Sequence, residues 1–425
     1  MTKNDDAWEK IFREHEILSR VERDGAFKIS AAQIKKFREP RLMTKLDHRI
    51  NLPKNFAAND LSILPVTRGD YLIAHFETWH DFEPSTSPVV RMSLPEHLQS
   101  LNTANIFSEA VALNCALAAG IIADFTGDEN IFPTADGRMS SGAFDFKIND
   151  TRRNFRHAVS VSSSQIEIDA AYEGVNFLTL IEAKRDLSDD FLIRQLYYPY
   201  RTWRGKIRKP IKPVFLVYSN GIFYLREYSF DEPDEYNSLR LVKQRRYCIE
   251  RARITLDDVR QILHDAPREP EPDVPFPQAD KFERVINLCE LLCKKFLTRD
   301  EITARYAFDA RQTDYYANAA RYLGLTEKFR LDDDVAWRLS DLGGKIFSHG
   351  YRERQLALCR RILSHKVFAD VLKIFMAGGQ MPSREQIVRL MKNSALNRVG
   401  SDVTFGRRAS TISGWLNWIV GIIDG

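Results

Sequence analysis

Asp169, Glu182 and Lys184 are the residues of this chain whose types and spacing could do chemistry. Residues 165–172 alternate apolar and polar, as a strand does, with Ile166, Ile168 and Ala170 on one face and Gln165, Glu167 and Asp169 on the other. Residues 173–176, Glu-Gly-Val-Asn, read as a turn, because Gly and Asn tolerate positive φ. Residues 177–184 are apolar almost throughout, the pattern of a strand buried on both faces, and they end on Glu182-Ala183-Lys184. Two residues apart, Glu182 and Lys184 share a face, and the hairpin turns Asp169 towards it. Glu167, on the same face as Asp169, is a third acid for the cluster or an alternative to Asp169 within it. Carboxylate oxygens suit a hard divalent cation such as Mg²⁺. Such a cation polarises a phosphate oxygen and acidifies a bound water, and a neighbouring ammonium orients that water and offsets developing charge. That is a kit for hydrolysing a phosphodiester. An E-x-K pair is also what an ordinary edge-strand ion pair looks like, and such a pair is worth little. The apolar run 178–181 and the placement of Asp169 favour the chemical reading.

The pattern Asp169…Glu182-Ala183-Lys184 resembles the PD-(D/E)XK nuclease superfamily, in which a hairpin carries D and then (D/E)xK and a helix follows. Ile168 stands where the motif's name has Pro. The resemblance implies that Asp169 and Glu182 hold Mg²⁺, with the Ala183 carbonyl adding an oxygen, and that Lys184 acts on the water. The helix expected over 189–203 carries Gln195, then Tyr198 and Tyr200, and is similar to the Gln/Tyr helix of several such nucleases. Pro199 occupies the place where a Q-x-x-x-Y spacing puts its Tyr. Family resemblance also brings an acid from the preceding helix, expected over 105–125, and Glu109 is that acid. Its alternative is a charge favoured by the helix N-terminus.

The elements that must position these residues need a large chain. At 425 residues two or three domains are expected. A hydrophobic share of 44% with 28% charged residues describes a soluble globular protein rather than a disordered or membrane-embedded one. The net charge of +4 is compatible with nucleic acid without demanding it. Five cysteines without paired spacing fit a reducing, cytoplasmic setting, and Cys289 and Cys293 read as helix packing. No signal peptide or membrane-spanning run is visible.

The expected domains are 1–100, 101–265 and 279–425, with a linker at 266–278. The first is a candidate DNA-recognition domain, with Arg38, Arg41, Lys45 and Arg49 in one basic stretch that composition alone reads as a solvated loop. The second holds the helix 105–125, a strand at 143–148, the hairpin, the Gln195 helix, and strands at 213–218 and 222–228 joined by an Asn220-Gly221 turn. Arg204 and Lys206, in the cationic run after the helix, form an expected phosphate track. The stretch 266–278 is Pro-rich and acidic and should be extended. Beyond it come a helix over 281–296, a second opened by the capping box Thr298–Glu301, a third capped by Asp309, and strands near 329–331 and 335–339. That is the order of a winged helix-turn-helix. Arg311, Gln312, Thr313, Tyr316, Asn318 and Arg321 are its candidate DNA-reading residues on the third helix.

The fold expected is therefore α/β (α+β): a PD-(D/E)XK nuclease core with a mixed sheet flanked by helices, plus an α-helical winged helix-turn-helix C-terminal domain. The resemblance is to Type II restriction endonucleases. It implies Mg²⁺-dependent, sequence-specific cleavage of double-stranded DNA, a homodimer, and a companion DNA methyltransferase that protects the host genome. Two alternatives stay open: a structure-directed repair or processing nuclease, and a winged-helix DNA-binding regulator whose nuclease fold is inactive.

Overall fold

The computed structural model describes residues 3–85, 87–250, 252–305, 310–332 and 334–423. It is a mixed α/β structure, and among the described residues no helix is long and apolar enough to cross a membrane. A seven-stranded mixed sheet lies at its centre. Its strands are β1 (Val89–Met92), β2 (Phe132–Ser140), β3 (Gln165–Glu173), β4 (Leu178–Lys184), β5 (Ile211–Ser219), β6 (Ile222–Phe230) and β7 (Leu239–Ile249), in the order β1-β7-β6-β5-β4-β3-β2. β4 runs parallel to β5 and β1 parallel to β7, and the remaining neighbours are antiparallel.

Both faces of this sheet are covered, which is why β4 is apolar on both sides. α1 (Glu109–Ala118) and α2 (Ile121–Thr126) pack Leu113, Ile122 and Phe125 against Ile181 and Ala183 of β4. α3 (Arg194–Arg204) packs Leu196, Tyr197 and Tyr198 against Leu178 and Leu180 on the other side. The single helix expected over 105–125 is two helices, because Gly120 adopts φ +74 and breaks the backbone ladder between them. The strand expected at 143–148 is present but pairs with Arg156–Ser162 in a separate hairpin. Its place in the central sheet is taken by β2, an exposed edge strand with no alternation to betray it.

Two further hydrophobic clusters lie in the N-terminal and C-terminal segments. The N-terminal unit packs Trp8, Phe12 and Phe56 of its helices against a three-stranded sheet, Phe27–Ser30, Asp70–Ala74 and Ser62–Pro65. The C-terminal unit has a core running from Val259 to Ile419. It contains α4 (Phe282–Leu292), α5 (Arg299–Arg305), α6 (Ala310–Tyr322), α7 (Asp341–Ser348) and α8 (Tyr351–Leu363), with a three-stranded sheet of Leu297–Thr298, Asp334–Leu339 and Thr326–Leu331. The capping box is present: Thr298 N donates to Glu301 at 3.0 Å and Glu301 N to Thr298 Oγ1 at 3.2 Å. The cap expected at Asp309 lies outside the described residues.

The stretch 266–278 is not a free linker. Val274 and Phe276 are buried in the C-terminal core, Glu269 pairs with Arg361, and the Tyr322 hydroxyl donates to Glu271 at 2.7 Å. Its prolines remove backbone donors, but its apolar side chains find a core, and Glu269 and Glu271 find an arginine and a hydroxyl. The C-terminal unit therefore begins before this stretch, at the helix Leu256–Asp265.

Candidate active site

The β3–β4 turn is held by one carboxylate. Buried Asp128 accepts from the backbone N–H of Asn176 (3.0 Å) and Phe177 (2.9 Å) and from the Asn176 side chain (3.1 Å). Position 174 must be Gly, since a Cβ there would lie 2.4 Å from the Asp128 carboxylate. From this turn the register runs Leu178 opposite Glu173 to Ile181 opposite Ala170, where the ladder ends. Beyond it the Ala183 N–H is taken by a side chain, Asp169 Oδ2 at 2.7 Å. The hairpin thus places Asp169 beside Glu182-Ala183-Lys184, as the spacing implies.

Against β2 the register shifts, so that three residues of β3 oppose two between Ala171 and Ile168. This bulge breaks the strict alternation. Ile166 and Ile168 face the core under α3, whereas Ala170 joins the core under α1. Glu167 is consequently not in the cluster. It is exposed and pairs with Arg138 at 3.4 Å.

Glu182 and Lys184 form a direct ion pair, with side chains only 9% and 15% exposed. Gln195 Nε2, from the first turn of α3, donates to the same Glu182 oxygen at 2.7 Å. Gln195 therefore belongs to the site, whereas Tyr198 and Tyr200 are buried in the core beneath it. Glu109, in the first turn of α1, lies within electrostatic reach of Lys184, Asp169 and Asp186. Burial pushes the Glu182 carboxyl up to about 8, with Lys184 opposing and Asp169 adding to the push. Burial works against charge on Lys184 too, but Glu182, Asp169, Asp47 and Glu109 outweigh it and hold the ammonium well above its ordinary value. Lys184 is a cation at neutral pH, suited to orienting water and balancing charge rather than to taking a proton.

The N-terminal unit adds residues that no motif announces. His48 is buried; its Nε2 lies 3.2 Å from Asp186 Oδ2, and its Nδ1 meets the Asp190 carbonyl at 2.9 Å and carboxylate at 3.2 Å. The Arg49 N–H donates to Asp190 Oδ2 at 3.0 Å. Burial opposes a charge on this imidazole, yet the two aspartates win and raise it to about 10. The loop after β4 is thereby clamped at both ends by a histidinium. Because its pKa is raised above that of the unfolded chain, this stabilisation is complete below pH 6.5 and is lost as pH rises through about 10. We expect His48→Ala to cost on the order of 3 kcal/mol at pH 7. In thermal melts the gap between variant and wild type should close between pH 7 and 10.5, and a gap independent of pH would refute the clamp.

Other residues expected at a binding surface lie elsewhere. Arg204 and Lys206 sit at the far end of α3 from Gln195, roughly 14 Å along the helix axis. There Arg204 touches the Tyr200 hydroxyl and Lys206 covers Trp203, so they form no track beside the site. On α6, Thr313 and Tyr316 are 0% and 6% exposed and face the protein interior, so neither can read a base. Arg311 is exposed, with Nε donating to Tyr315 at 2.6 Å, and Gln312, Asn318 and Arg321 are half-buried. In the basic N-terminal stretch, Arg49 pairs with Asp81 and Lys45 with Asp47.

The oxygens present suit a hard cation. Asp169 Oδ1 and Glu182 Oε2 accept no hydrogen bond among the described residues, and the Ala183 carbonyl lies 3.4 Å from the Lys184 ammonium. Among the described residues no group of three or more His, Cys, Asp or Glu side chains is arranged to hold a metal ion. Mg²⁺ does not require one, since it takes one or two carboxylates and completes its shell with water and phosphate.

Three family models match the chain, each described as a domain of unknown function: DUF6996 over residues 5–73, DUF6997 over 74–248 and DUF7226 over 284–424. No curated protein and no solved structure matches it. The acids, Lys184 and Gln195 come from the second of these segments, and His48, which clamps their loop, comes from the first.

Proposed function

We propose that the chain is a Mg²⁺-dependent endodeoxyribonuclease of the PD-(D/E)XK type, acting on double-stranded DNA as Type II restriction endonucleases do. The observation that carries this reading is the convergence of Asp169, Glu182, Lys184, Gln195 and Glu109 at one end of β4. Helix, antiparallel hairpin, helix and a strand parallel to β4 surround the site in the order such a core requires. α4 to α6 with their three-stranded sheet follow the order of a winged helix.

Asp169 Oδ1, Glu182 Oε2 and the Ala183 carbonyl would hold the cation, which when bound supplies an acidified water and a polarised phosphate oxygen. Lys184 orients the attacking water and offsets negative charge gathering on the phosphorane. Gln195 fixes the Glu182 carboxylate, and the buried setting of the pair strengthens each of these interactions. The burial of Thr313 and Tyr316 favours a second reading, a nuclease directed by DNA structure rather than sequence.

The test is incubation of plasmid DNA, methylated and unmethylated, with Mg²⁺ and with chelator. Discrete Mg²⁺-dependent fragments are expected; nicking or a smear favours the second reading, and intact DNA under all conditions refutes both. A pH dependence accompanies the activity. Because burial raises the Glu182 carboxyl above the usual carboxylate range, protons compete with the cation for it as pH falls. The Mg²⁺ concentration for half-maximal cleavage should rise by up to about tenfold per unit as pH falls from 8 to 6. A requirement that stays flat over this range would remove Glu182 from the ligand set.

A further inference from the structure

The C-terminal unit carries an open groove of about 630 Å³ on the side where α4 ends and α7 begins. Lys294, Lys295, Arg338 and Lys345 line it, against the single acid Asp341, and the exposed Phe296 ring stands among them. Lys294 and Lys345 are exposed and make no ion pair among the described residues. Lys295 and Arg338 pair with Glu301 (3.0 Å) and Glu327 (2.8 Å), but at exposed positions where such pairs are weak and exchange readily for another anion. Cys293 lines both this groove and the small cavity that contains Arg185 and Phe107. Arg185 directly follows Lys184 in the chain.

We propose that this groove carries the phosphate backbone of duplex DNA, and that it, rather than α6, is the nucleic-acid surface of the C-terminal unit. The choice of duplex DNA rests on the nuclease reading; the preference for a polyanion rests on the groove itself. A groove lined by four cations and one acid, two of the cations free of ion pairs among the described residues, suits phosphates, which it would bind without reading sequence. α6 offers less, since Thr313 and Tyr316 are turned to the interior and Gln312, Asn318 and Arg321 are half-buried.

The experiment is fluorescence anisotropy of a labelled duplex with the full chain, without divalent ions, across a KCl titration. The variant is Lys294→Glu with Lys345→Glu. Its control is Arg204→Glu with Lys206→Glu, an equal change of charge at the far end of α3. We expect the groove variant to lose at least about tenfold in affinity and about two units of salt slope, with the control close to wild type. Lys294→Ala with Lys345→Ala should show the same trend at smaller amplitude, with an unchanged Tm. Equal loss in groove variant and control, an unaltered slope, or no duplex binding by the wild type each overturns the proposal. The nuclease reading is judged separately, by cleavage. Binding through the groove without cutting would leave the groove and remove the nuclease, and cutting with an unaltered slope would do the reverse.

Discussion

Lys184→Ala should lower DNA cleavage by about a thousandfold or more while leaving duplex affinity within roughly threefold, because the proposed function gives it a part in the chemical step. The side chain is buried on Glu182, and the acids around it keep it charged, so its charge is present before substrate arrives. Removing it deletes the cation paired with Glu182 and leaves that buried carboxyl beside Asp169 without it. Lys184→Arg should not restore the rate, since a planar guanidinium cannot occupy the place of a compact ammonium on the Glu182 oxygen. Single-turnover cleavage with enzyme in excess measures the first effect, and anisotropy with Ca²⁺ in place of Mg²⁺ the second. Cleavage within tenfold of wild type would falsify the site assignment. Parallel loss of binding and cleavage would make Lys184 a structural residue instead.

Glu290→Ala should destabilise the protein by about 3–5 kcal/mol, the usual cost of breaking a buried ion pair from one side. Glu290 of α4 and Arg354 of α8 are 3.2 Å apart with side chains 7% and 4% exposed. Glu290 also accepts from the Ser219 hydroxyl at 2.8 Å and the Asn220 N–H at 2.9 Å, at the end of β5. Asn220 and Gln355 exchange amide hydrogen bonds of 2.8 and 3.0 Å beside it. One residue cluster therefore joins the C-terminal unit to the central sheet. Its truncation orphans a guanidinium and two donors together. Glu290→Gln keeps one acceptor oxygen, which at the Oε2 position serves both Ser219 and Asn220, and should cost distinctly less. Urea melts give the energies, and the Ala variant should separate into two transitions as the units uncouple. Asn287, one turn earlier on α4, donates to the Arg185 carbonyl at 2.7 Å and accepts from the Leu187 N–H at 3.2 Å. Uncoupling should therefore also loosen the loop after Lys184 and slow cleavage. A single melt within 1 kcal/mol of wild type would show that the network contributes little.

Local pattern was enough where one element or one turn decides the outcome. Glu182 and Lys184 share a face because a strand has period two, and Asp169 meets them because a four-residue turn sets the hairpin register. The Asn220-Gly221 turn appears with φ +54 and +76, as a two-residue hairpin requires. Gln195 reaches Glu182 although the tyrosine spacing of its helix is irregular, because only its first turn faces the site. The bulge that turns Glu167 out to solvent was not legible, since it arises from pairing with β2, a strand whose exposed residues carry no alternation.

The sequence by itself determined the chemical kit: two acids and an ammonium on one hairpin, a glutamine on the next helix, and an acid near the start of the helix before. Those placements depend on periods and turns spanning a few residues. Tertiary structure decided everything that joins distant segments. It brought His48 across 142 positions to Asp190 and folded the Pro-rich stretch into a core. It also turned Thr313 and Tyr316 inward. A buried charge is stable only where counter-charges from other segments surround it, and a helix face is a reading surface only if nothing packs on it. Neither condition is written in the spacing of neighbouring residues.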